Sequence, residues 1–204
     1  MSARLVKSQD SAAALQLWQE NLLHVQTFLA GTLPEDYDGL CEIQRLCEVH
    51  QNCLTSQHSV LLSRKESPPQ DFSRSVQEQF NSLANLHNET LARIMERHNE
   101  VNKRLQLWDS YRRDQSRLSS WLRDMTREQS RLQLRYIHLR RIPKLLEQID
   151  MILAKVPHGK SQARELAKQQ ENIVKFCDEA LATSIKMESV GINDRIANLE
   201  VSHL

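Results

Sequence analysis

Val101-Asn-Lys-Arg-Leu-Gln-Leu-Trp108-Asp-Ser-Tyr111-Arg-Arg-Asp-Gln115-Ser-Arg-Leu118-Ser-Ser-Trp121-Leu122 lies inside a run from Asp71 to Ile142 that holds neither proline nor glycine, the first breaker being Pro143. Upstream, Leu91, Ile94, His98, Val101, Leu105 and Trp108 are spaced alternately three and four apart, the seam of a packed helix. From Trp108 to Tyr111 a second three-residue step follows directly, and Gln115, Leu118, Leu122 and Met125 then resume the alternation. Such a slip rotates the apolar stripe to a new side of one continuous helix. At about 1.5 Å of rise per residue, some sixty residues of it would extend roughly 90 Å. A helix of that length cannot fold back on itself. It must bridge two compact bodies or pair with another chain.

Working outward, breakers divide the rest. A first helix is expected over about residues 5–30, ending at Gly31-Thr32-Leu33-Pro34, and a second over 37–66, with Asp36 and Asp38 as N-terminal caps and Ser67-Pro68-Pro69 after it. The long helix starts near residue 71, capped by Asp71 or Ser73, and divides into segments 71–108 and 109–133. Its turn into the next helix falls somewhere between Gln129 and Pro143. Further helices are expected over about 140–156, ending at Pro157-His158-Gly159, and over 161–204, with Gly191 as a weak point.

The chain repeats itself. Displaced by about 93 residues, Leu15, Trp18, Val25, Phe28 and Leu29 fall on Trp108, Tyr111, Leu118, Trp121 and Leu122. At slightly smaller offsets Leu54 falls on Leu146, while Ile94, Val101, Leu105 and Trp108 fall on Ile185, Ile192, Ile196 and Leu199. The expected fold is all-α: two tandem three-helix bundles, residues 1–108 and 109–204, joined by one long continuous helix into an elongated rod. The alternative is a parallel coiled-coil dimer, which would leave the flanking helices without a partner for their own apolar stripes.

Tandem three-helix units sharing a helix resemble spectrin repeats. Trp121-Leu122 resembles the tryptophan site of that family's first helix, with Phe28-Leu29 as its counterpart, and Trp108 resembles the tryptophan at the junction between repeats. Arg131-Leu-Gln-Leu-Arg-Tyr-Ile-His-Leu-Arg-Arg-Ile-Pro-Lys-Leu-Leu-Glu-Gln, Val156-Pro-His-Gly and Glu179-Ala-Leu-Ala-Thr-Ser-Ile-Lys-Met are similar to rod repeats of the nesprins. The resemblance implies a structural spacer and interaction scaffold, an internal piece of a larger rod that links the nucleus or membranes to the cytoskeleton. It also implies a cytoplasmic, cytoskeletal setting, at the outer nuclear membrane through the parent chain. On that reading residues 1–14 are the tail of a preceding linker helix and Leu204 lies in mid-helix.

Composition agrees with long helices. There are only four glycines, and 27 basic against 26 acidic residues leave a net charge of +1. Such balance argues against a dedicated nucleic-acid binder. No apolar run is long enough to cross a bilayer. Cys41, Cys47, Cys53 and Cys177 form no CxxC pair, and the first three, six apart, point in different directions, as free thiols of a reducing compartment do.

Chemistry-bearing constellations are absent from the sequence. Cys47, His50 and Cys53 lack a fourth zinc ligand, and the lone Glu-x-x-His at Glu200–His203 is half of what a di-iron bundle needs. No catalytic residue, cofactor or metal is expected, although a helical-bundle enzyme or metal protein is the third class to be weighed. Asn88-Glu89-Thr90 is read as a chance match to a glycosylation acceptor. Between Arg104 and Arg141, ten arginines face four acids, a local charge of +6. Arg113 and Arg117, then Arg127, Arg131 and Arg135, recur at four-residue spacing. Arginine suits forked pairing with carboxylates. The face is either solvated and paired with acids of a neighbouring helix, or a docking surface for an acidic helical partner such as a cytoskeletal regulator. Trp18, Phe28, Trp108, Trp121 and Leu122 are expected in the cores. The chain is expected to be monomeric and not to insert into membranes.

Overall fold

The computed structural model describes residues 2–66, 74–132 and 139–201. They form α1 (Ser2–Ala30), α2 (Tyr37–Glu66), α3 (Arg74–Leu132), a 3₁₀ turn (Leu139–Arg141), α4 (Ile142–Val174) and α5 (Glu179–Val201). The fold is all-α. The chain divides into two compact units, Met1–Lys103 and Arg104–Leu204, and the division falls inside α3, a little before the Trp108 boundary read from the sequence. The expected caps Asp71 and Ser73 lie outside the described residues.

In unit 1 the helices start and stop as their local chemistry dictates. Asp36 caps α2, its Oδ1 accepting the Gly39 N–H at 2.8 Å. Gly39 cannot be larger there, because a Cβ would lie 2.6 Å from Pro34 Cβ. The frayed carbonyls of α1 are taken up by α3: Arg97 donates to the Leu29 carbonyl at 3.1 Å and to the Thr32 carbonyl at 3.3 Å. One core joins the three helices, with Leu22, Val25 and Leu29 from α1, Cys47 and Leu54 from α2, and Leu83 and Ile94 from α3. Each such side chain contributes on the order of 1.5–3 kcal/mol on burial. Contacts Trp18–His87 and Leu29–Arg97 run α1 parallel to α3. Gln44–Asn102 and Gln51–His98 run α2 antiparallel to α3.

Unit 2 repeats this up-down-up course with the second part of α3, α4 and α5. Asp114–Gln169 and Glu128–Lys155 set α4 antiparallel to α3, and Gln170–Ser189 and Lys160–Glu200 set α5 antiparallel to α4. The core is drawn from Leu118, Leu122 and Met125, from Ile152, Val156 and Leu166, and from Ile185, Ile192, Ile196 and Leu199, all buried. Repeat partners read from the sequence match in burial at most positions of the first and third helices. Val25 and Leu118, Leu29 and Leu122, Ile94 and Ile185, and Val101 and Ile192 are buried alike. The middle helix breaks the match: Leu54 is fully buried, whereas Leu146 is 55% exposed.

That failure has a cause. The break expected at Pro157-His158-Gly159 does not occur; α4 runs through it to Val174, and the turn lies at residues 175–178. Pro157 is exposed, so its ring sits on the solvent side of a helix held on both sides by buried Ile152, Val156, Ala163 and Leu166. An interior proline forfeits one backbone bond and crowds the preceding turn. Here core packing along α4 outweighs that cost. The expected 161–204 helix is accordingly shared between α4 and α5. The true turn closes with Phe176 N–H on the Ile173 carbonyl at 2.9 Å, and Asp178 caps α5 by accepting the Leu181 N–H at 2.7 Å. Pro143, by contrast, stands in the first turn of α4, where its missing N–H costs nothing.

Candidate functional site

Heptad spacing along α3 places Arg113, Arg117, Ser120, Asp124, Arg127 and Arg131 in one row, and all six are exposed. Four guanidinium groups and one carboxylate thus share a stripe about 27 Å long. The opposite side of the same segment carries buried Tyr111, Leu118, Leu122 and Met125. Arg135, the fifth arginine singled out in the sequence, lies outside the described residues.

The acids of α3 explain why the stripe stays basic. Asp114 accepts a hydrogen bond from Gln169 of α4 at 2.8 Å, and Glu128 pairs with Lys155 of α4 at 3.1 Å. Only Asp124 sits in the row itself. Arg117 meets Asp114 at 3.4 Å and Arg127 meets Asp124 at 3.4 Å, pairs within one helix whose arginines remain 65% and 68% exposed. Exposed pairs of this kind contribute only about 0.3–0.5 kcal/mol. The acids that Arg117 and Arg127 find are therefore those of their own helix, not of a neighbour. Such weak pairs are readily exchanged for a better carboxylate. Arg104, also basic, is used internally: its guanidinium lies over the Phe176 ring, 4.7 Å from the centroid.

The aromatic residues read as core are distributed unevenly. Trp108 is 9% exposed and meets Tyr111 edge-on at 6.2 Å, and Leu122 is fully buried. Trp18, Phe28 and Trp121 are only partly buried. Trp18 packs against Phe80 and His87, with centroids 5.9 and 5.8 Å away. Phe28 packs on His50 at 4.8 Å and lies under the Arg97 guanidinium. Sequence reasoning overlooked His87 and Arg97, and read Gly159 only as part of a helix end. His87 was detectable, because it falls between Leu83 and Leu91, four from each, on the apolar row of α3. No sequence signal distinguishes Arg97 from its exposed neighbours.

The four cysteines are free, and burial pushes the Cys47 thiol up from its ordinary range. Cys47 is buried, His50 half-buried and Cys53 exposed, so the three do not converge. Among the described residues no group of three or more His, Cys, Asp or Glu is placed to hold a metal ion, and no helix is long and apolar enough to cross a membrane.

Neither a family model nor a solved structure matches the chain. A curated protein does. The chain is 45% identical over 202 residues to the Muscle-specific protein 300 kDa of Drosophila melanogaster. The alignment takes in 99% of this chain and so runs through both units and the helix they share. It spans 2% of that relative, a very much longer protein. The similarity therefore concerns one short segment of a large muscle protein.

Proposed function

We propose that the chain is a non-catalytic spacer and interaction scaffold, a segment of a larger rod that links the nucleus or membranes to the cytoskeleton. One observation carries the reading. α3 is 59 residues long and buries apolar side chains in both units, Phe80, Leu83 and Ile94 in the first, Leu118, Leu122 and Met125 in the second. A helix so anchored cannot be extended without undoing a packed core, which suits it to fixing a distance and bearing load. Similarity to a short segment of a large muscle protein supports this, and the nesprin resemblance supports a site at the outer nuclear membrane.

Partner binding is assigned to the exposed row of Arg113, Arg117, Arg127 and Arg131. Its chemistry fits an acidic helical segment laid along α3, with carboxylates at matching heptad spacing. Charge of this kind sets partner choice and arrival rate more than affinity.

X-ray scattering combined with light scattering across a concentration series tests the spacer. A mass that stays monomeric throughout the series is expected. A mass that doubles with concentration would replace the spacer by a dimerising adaptor.

A further inference from the structure

The interior of unit 1 holds a polar layer that the spacer role does not call for. His87 of α3 is fully buried, and its Nδ1 accepts the indole N–H of Trp18 of α1 at 3.4 Å. An indole N–H only donates, so this contact exists only while Nδ1 carries no proton. From α2, the His58 ring lies parallel to His87 with centroids 5.9 Å apart. Another ring nitrogen, His58 Nδ1, is buried without a hydrogen-bond partner. From α2 the Leu54 backbone hydrogen-bonds His87, which favours its protonated form, and among the described residues no carboxylate bonds or pairs with either ring. A proton on His87 would thus break the tie to α1 and set a positive charge against His58 with no acid to receive it.

A second pair lies in the same unit. His24 of α1 and His50 of α2 meet edge-on at 5.9 Å, with Phe28 against His50 at 4.8 Å. Burial and then the His24 imidazole hold His50 below the ordinary histidine range, and at His87 burial outweighs the Leu54 backbone bond, with His58 adding to it, to the same effect. His98 has different surroundings, with Gln51 at 3.0 Å and a Glu48 carboxylate oxygen at 3.8 Å. In unit 2 the histidine among the described residues is His158, and it is exposed.

We propose that the Trp18–His87–His58 layer is an acid-sensitive catch that ties α1 to α3 only while His87 is neutral, so that acidification loosens unit 1 and spares unit 2. This stands on the core of unit 1 alone and does not depend on the spacer reading. With ordinary histidine titrating near 6.5, the unfolded chain gains protons first as the pH falls. Each histidine held neutral in the fold then lowers the folding equilibrium progressively, until the pH reaches its depressed folded value.

The test is amide hydrogen exchange of the whole chain at pH 7.5, 6.5 and 5.5, corrected for intrinsic rates, with the ring signals of His87 followed by NMR. Protection of core amides in α1 and α2 should fall between pH 6.5 and 5.5, by up to about fivefold for each histidine held neutral, while those of α4 and α5 hold. His87→Gln, which keeps an acceptor for Trp18 and cannot titrate, should lose less than the parent chain over the same range. Equal protection of unit 1 at pH 7.5 and 5.5 would overturn the proposal, as would parallel loss in both units. Should H87Q not fold, the parent chain still decides: a His87 ring titrating at or above 6.5 sinks the catch.

Discussion

The indole of Trp121 rests on the backbone of Gly159: a Cβ built on that glycine would stand 2.2 Å from Trp121 Cη2 and 2.4 Å from Cζ3. A ring of α3 thereby occupies the space of a missing side chain on α4. Gly159→Ala should therefore destabilise unit 2 although alanine is the better helix former by about 1 kcal/mol. Overpacking of this type costs about 1–3 kcal/mol. Adding Trp121→Leu, which withdraws the ring, should remove most of the alanine penalty in a double-mutant cycle. Urea unfolding measures both, and a stabilised G159A chain would show that the ring moves aside freely.

The same contact explains where sequence reading succeeded and failed. The continuous α3 was legible because its signal is periodic over many turns and no breaker interrupts it. The break at Pro157–Gly159 was misread because proline and glycine punctuate by local propensity, whereas Gly159 is small to admit Trp121, a tertiary reason that propensity cannot reveal. The true turn, Lys175-Phe176-Cys177-Asp178, has neither residue, and its one local sign was Asp178 ahead of Glu179-Ala-Leu as a helix cap. The arginine row followed from spacing alone. That its acidic neighbours Asp114 and Glu128 turn toward α4 did not, because such pairings depend on the register of a second helix.

Core and surface positions of unit 1 should separate sharply. Ile94 is fully buried in the three-helix core, whereas Leu17 is 69% exposed on α1. Truncating Ile94 to alanine should cost about 2–5 kcal/mol, transfer and cavity together. Leu17→Ala should stay within about 0.5 kcal/mol, as exposed substitutions do. Chemical denaturation of both variants checks the contrast, and similar losses would mean that Leu17 is covered in solution by a contact outside this chain.

Reversing Arg127 and Arg131 to glutamate should leave helix content unchanged and shift stability only slightly. The Arg127–Asp124 pair is exposed, and turning it into a like-charge pair costs a few tenths of a kcal/mol. A synthetic helical peptide with glutamates in a heptad row should bind the parent chain in a salt-sensitive way and the reversed chain at least tenfold more weakly. Equal affinity for both would place acidic docking elsewhere than on this row.

Tyr111 gives unit 2 an alkaline limit. Burial, with the Glu188 charge adding to it, pushes its phenol from an ordinary value of 10 up to about 12. The side chain is 2% exposed, and its hydroxyl faces the Glu188 carboxylate, whose charge and hydrogen bond both favour the protonated phenol. Below pH 10 the phenol is protonated whether the chain is folded or not, so it places no pH dependence on stability. Between about 10 and 12 the unfolded chain gives up the proton and the folded chain cannot, so stability falls by about 1.4 kcal/mol per pH unit. Tyr111→Phe should abolish that decline. Urea midpoints of the two chains at pH 8, 10 and 11 decide the matter: parallel declines would mean that the phenolate forms in the folded protein, with the Tyr111 ring reaching water.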